Sequence, residues 1–150
     1  MRHPMKTRQV VEVVRVLGDA KISRMEDKDK FLVIRAMRQL KPVSSSHEEF
    51  VKDAREKLKG DDFEELRKKA EQWQAEGEET ALSIAERQHI NAYFTGYTDR
   101  VNACVREEEE KDNEFAYERL SEEASRKLIA SNDFDIKTIM SLQEALVKES

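Results

Sequence analysis

Cysteine, proline, glycine and tryptophan are all scarce in this chain. The single cysteine, Cys104, excludes an intrachain disulfide and any cysteine-based zinc site. Two prolines and four glycines in 150 residues leave too few turn formers for a β-sandwich. Aromatics make up only 7 %, with one tryptophan, Trp73. No apolar run approaches the roughly 18 residues that a membrane span needs. The opening "MRHPMKTRQVVEVVRVLGDAK" lacks the uncharged core of a secretion signal, so the cytoplasm is the expected location.

Charge is what the chain has in quantity. Asp, Glu, Lys and Arg account for 39 % of residues, which with scattered Leu, Val and Ala favours helices. The charge is segregated. Residues 1–41 carry eleven Lys/Arg against five Asp/Glu, while residues 42–150 carry sixteen against twenty-seven, which together give the net −5. Such asymmetry suits a basic arm on nucleic acid, or attraction between the two parts of the chain. Because the basic residues alternate with apolar ones along helices, a solvated helix face is the plainer account, and nucleic acid is an unfavoured partner.

Apolar spacing lays out the helices. Val10, Val13, Val14 and Leu17 recur at one face, with Gly18 placed to close that helix. "SRME" has the form of a capping box, Ser23 with Glu26, ahead of a stripe of Leu32, Val33, Ala36, Met37 and Leu40. Pro42 is expected to end that helix near residues 39–41, and Ser46 with Glu49 to open the next. The stripes around Leu58 and Phe63 differ in phase, which predicts a break at Gly60, with Asp61 and Glu64 capping the helix after it. Phe63, Leu66, Ala70 and Trp73, then a turn at Gly77, then a helix over about 80–110 read as an antiparallel hairpin. Gly96, in mid-helix, suggests close approach by a neighbour. The acidic run Glu107–Glu110 opposes the helix dipole and reads as a frayed, solvated end. Phe115 and Tyr117 alternate with polar residues, predicting a short extended segment over 113–119. Ser121 and Asp135 are N-cap candidates for two short final helices, the last with Phe134 and Ile139 spaced as a staple and a buried face of Ile136, Ile139, Leu142 and Leu146. The expected architecture is all-α: one helical domain, 1–150, built around the hairpin.

Candidate chemistry is thin. Glu86 and His89 lie three apart on a helix, as one half of a di-iron site would. A second such pair is missing, since Ser44 stands three before His47, so the ferritin-like reading fails on stoichiometry. A mononuclear site drawing in His47 is the residual metal reading. The plainer expectation pairs Glu86 with a basic residue of a neighbouring helix, with no cofactor and no stoichiometric metal. Cys104 falls on an apolar stripe and reads as a buried, inert thiol. Trp73, Tyr93 and Tyr97 are the candidate interaction residues, each with core packing as the alternative.

The opening "MKTRQVVEVVRVLGDAKISRMEDKDKFLVIRAMRQL", the charged hairpin and the closing "LSEEASRKLIASNDFDIKTIMSLQEALV" together resemble a family of short, functionally uncharacterised phage and prophage proteins. The shared elements are the helix start at Leu120 to Glu123 and the turn at Asn132 to Asp135, within residues 5–59 and 80–147. The resemblance implies a virion-associated or assembly role in the tail region, with itself or a phage structural protein as partner. It carries over no catalytic residue. The rival classes are a small regulator contacting nucleic acid, or a nucleic-acid-binding protein, through the basic N-terminal region, and an enzyme centred on Glu86 and His89.

Overall fold

The computed structural model describes residues 3–148. Strand β1 (His3–Lys6) leads into helices α1 (Thr7–Asp19), α2 (Asp27–Lys57), α3 (Phe63–Glu76) and α4 (Ile84–Glu109). Strand β2 (Asp112–Phe115) and helices α5 (Glu122–Ala130) and α6 (Ile136–Leu146) complete an all-α protein with one two-stranded sheet. The chain, expected from its sequence to be one domain, groups into two compact units. One joins Met1–Glu49 with Glu108–Ser150 and the other is Phe50–Glu107.

In the first unit the α1 stripe is buried as its spacing predicts: Val10, Val13 and Leu17 enter the core with Val16, and Val14 packs at its edge. Gly18 does not close the helix. α1 runs through it to Asp19, and extended backbone at Ala20 ends it, with the Ala20 amide donating to the Leu17 carbonyl. At the other end the Gln9 side chain accepts from the Lys6 amide at 2.8 Å. Val33, Ala36 and Leu40 of α2 and Leu120, Leu128, Leu142 and Leu146 belong to the same core.

Three expectations for α2 are corrected. The helix starts at Asp27, so Ser23 lies outside it and the Glu26 carbonyl accepts from the Asp29 and Lys30 amides. Pro42 sits inside the helix and does not end it. Proline at 42 removes the donor for the Arg38 carbonyl. Arg38 and Pro42 both face solvent, so water can take that carbonyl, while Leu40 and Ser44 hold the opposite face against protein. Ser46 and Glu49 cap nothing, because no helix end falls there.

β1 and β2 pair antiparallel, with His3 opposite Phe115 and Met5 opposite Asn113. The extended segment around Phe115 was legible, and both Phe115 and Tyr117 are buried on alternate positions. The acidic end of α4 is tied down instead of frayed. Glu110 takes the Lys6 ammonium at 2.5 Å and the Arg8 guanidinium at 3.1 Å, which lowers its carboxyl pKa.

The C-terminal caps form as expected. Ser121 Oγ accepts from the Ala124 amide at 3.1 Å, and Asp135 from the Thr138 amide at 2.8 Å. Asn132 clasps the backbone of Lys21 in both directions, at 2.8 Å and 2.9 Å, tying the α1–α2 loop to the end of α5. On α6 the buried residues are Leu142, Ala145 and Leu146. Ile136, expected in the buried stripe, is instead 76 % exposed, because it is the first residue of the helix and lies beyond the edge of the core.

The Tyr117 hydroxyl donates to the Ala145 carbonyl at 2.7 Å, and burial pushes its pKa up to about 12, against a small opposing pull from Arg119. A raised phenol pKa stabilises the fold fully below the unfolded value of about 10 and loses that contribution as pH rises through the folded value. Denaturant stability should therefore fall between about pH 10 and 12 more steeply in the parent than in Tyr117→Phe. Equal slopes would contradict this.

Candidate interaction surfaces

Glu86 has a structural task that its spacing to His89 conceals. Ser83 precedes α4, its Oγ accepts from the Glu86 amide at 3.1 Å, and a Glu86 carboxylate oxygen accepts from the Ser83 amide at 3.3 Å. This is a capping box, and "SIAE" was its overlooked signal. The second carboxylate oxygen lies 3.7 Å from Lys69 Nζ on α3, the basic partner expected from the sequence. His89 is exposed on the solvent side of α4. His47 belongs to the other unit, where its Nε2 lies 3.3 Å from Glu109. Among the described residues no three His, Cys, Asp or Glu side chains converge as a metal-holding group. Ser83→Ala should cost about 0.5–2 kcal/mol of stability, read by denaturant melts. A variant as stable as the parent would show the box to be idle.

The break at Gly60 is present, and the aromatic residues explain how it is held. α2 ends at Lys57 and α3 begins at Phe63. The Tyr97 hydroxyl donates to the Arg55 carbonyl at 2.6 Å, satisfying a carbonyl that the helix end leaves without a partner. The Gly60 amide donates to the Tyr93 hydroxyl at 3.2 Å, and a Cβ at Gly60 would stand 3.1 Å from that oxygen. Asp62, not Asp61, precedes α3, and its side chain caps nothing. Phe63 packs edge-on against Phe94 and Tyr97, with ring centroids 5.6 Å and 5.1 Å apart. α3 and α4 thus lie antiparallel, joined through Gly77 at φ 61°, the left-handed turn expected there.

Leu66, Leu82 and Ile90 form the buried centre of the hairpin, with Ala70, Trp73, Tyr93 and Phe94 half-buried around it. Trp73, Ala70, Ile90 and Phe94 line an open recess of about 460 Å³. Gly96 receives no neighbouring helix; the nearest atom to a Cβ there would be the Arg100 guanidinium of its own helix, at 3.3 Å. Cys104 is half-buried.

Two further apolar pairs stand in water at helical spacing, and neither was marked as an interaction site by its sequence pattern. Phe31 (58 % exposed) and Ile34 lie on the outer face of α2, and Ile136 and Met140 (60 % exposed) on that of α6. Phe31 borders a recess of about 460 Å³ in the first unit, lined also by Lys28, Arg35, Arg119 and Lys148. Among the described residues Arg119 Nε is buried without a hydrogen-bond partner. At the start of α4, Ile84 is 66 % exposed beside the Gly77 turn.

Compared with protein-family models, with curated proteins and with solved structures, the chain matches none. No helix among the described residues is long and apolar enough to cross a membrane.

Proposed function

We propose that this chain is an assembly protein that acts through protein–protein contact, of the kind its phage and prophage resemblance implies. The observation that carries this reading is the exposure of Phe31 with Ile34, and of Ile136 with Met140, on outward helix faces. Paired large apolar side chains held in water at one helical turn form a small apolar patch that a partner can cover. Trp73, at the rim of the hairpin recess, belongs to the same reading, while Tyr93 and Tyr97 contribute by holding the hairpin in shape. The cytoplasm during assembly, and the finished virion, are where such a protein acts.

Sedimentation of the purified chain from about 1 to 100 μM tests the reading, since weak association appears in that Kd range. A mass that rises above the 17.5 kDa of one chain with concentration is expected. A constant 17.5 kDa throughout would overturn self-assembly.

A further inference from the structure

The charge along the chain is segregated more sharply than its halves suggest. Residues 30–47 hold four Lys or Arg and no Asp or Glu, while residues 70–86 hold five Glu and no Lys or Arg. In the fold these runs contribute to two different surfaces. From the first, Arg35 joins Lys28, Arg119 and Lys148 around the Phe31 recess. Arg35 and Arg119 have no ion pair among the described residues, although Lys28 lies 3.6 Å from Glu26 and Lys148 lies 3.7 Å from Glu118. The second run forms the tip of the α3–α4 hairpin, where Glu78 and Glu79 are exposed and Ile84 stands in water a few residues on. Each surface sets an excess of one charge beside one exposed apolar side chain.

We propose that these two surfaces bind each other between copies: the acidic hairpin tip of one chain docks in the basic recess of the next. The inference rests on the assembly reading above and names its partner, a second copy. Glu78 and Glu79 meet Arg35, Lys28 and the Arg119 guanidinium, and Ile84 covers Phe31. Tip against tip or recess against recess sets like charges together, so of these contacts only tip against recess gains from the charge. Such a contact is head-to-tail, so each chain keeps one free recess and one free tip and the contact propagates or closes into a ring. Asp29 and Glu118 also line the recess, so its positive excess is four cationic side chains against two carboxylates.

The test uses charge reversal at exposed positions in the full-length chain. The recess variant is Lys28→Glu with Arg35→Glu, the tip variant is Glu78→Lys with Glu79→Lys, and the combined variant carries all four. Circular dichroism verifies that each remains helical. At about 100 μM and low salt the parent should sediment above one chain's mass, and about 1 M NaCl, with its roughly 3 Å screening length, should dissociate it. Each two-site variant alone should remain a single chain. Their equimolar mixture should associate again, since the acidic tip of one meets the basic recess of the other and the reversed tip and recess are complementary too. The combined variant should associate again, with its signs exchanged.

Association that persists in both two-site variants overturns the head-to-tail contact and leaves the assembly reading standing. A parent that is a single chain at every concentration overturns both. A parent that stays single but binds a labelled 20-mer of oligo(dT), with binding lost in the recess variant, assigns the recess to nucleic acid and overturns the inference.

Discussion

Leu142→Ala is expected to lower folding stability by about 2–5 kcal/mol, the range for truncating a buried leucine that leaves a cavity. Leu142 is 3 % exposed and belongs to the main core cluster with Leu128 and Leu146. An isolated helix as short as α6, eleven residues, is marginal in water, so only burial against its neighbours keeps it formed. Deleting residues 134–150 should have the larger effect. It removes Leu142, Ala145, Leu146 and Val147 from the core and exposes the face of α1 that α6 covers. It also leaves the Tyr117 hydroxyl without the Ala145 carbonyl and Leu120 without the backbone bonds to Leu146 and Lys148. Thermal melts of the two chains measure this. A truncated chain that melts with the parent would mean that α6 contributes nothing to the core.

Ile90→Ala should be nearly as damaging, and locally so. The second unit has few buried apolar side chains: Ala54, Leu66, Leu82, Ile90 and Val101. Ile90 is the buried residue that α4 contributes to the cluster with Leu66 and Leu82. Its truncation should cost about 2–5 kcal/mol, with little neighbouring mass available to collapse into the space. Because a small core supports cooperative local opening, hydrogen exchange should accelerate most along α3. Unchanged α3 protection in a folded Ile90→Ala chain would show that the aromatic contacts of Phe63 alone suffice to hold the hairpin.

Much of the hairpin and of the C-terminal helices was legible because the signals are local. Ser121 and Asp135 act on amides three residues ahead, Gly77 needs only its own positive φ, and the Val10, Val13, Leu17 stripe needs only the helical period. The candidate sites were less legible. Glu86 and His89 share a helix face by spacing, yet the Glu86 carboxylate is committed to the Ser83 amide, a partner that the same few residues already held. Tyr93 and Tyr97 were visible as an aromatic pair, but their bonds to Gly60 and Arg55 reach 33 and 42 residues back along the chain.

By itself the sequence determined the helical class, the break at Gly60, the Gly77 turn and the last two helices, since each rests on hydrogen bonds or periodicity within about one turn of helix. Only the tertiary structure decided the course of α2 through Pro42, because a proline is tolerated there only where its orphaned carbonyl faces water. It alone decided the pairing of β1 with β2, whose partners His3 and Phe115 lie more than a hundred residues apart and are too short to show a period. It also decided which apolar residues stay in water. Ile136 and Leu142 look alike in the α6 stripe, and their fates differ because the core reaches one and stops short of the other.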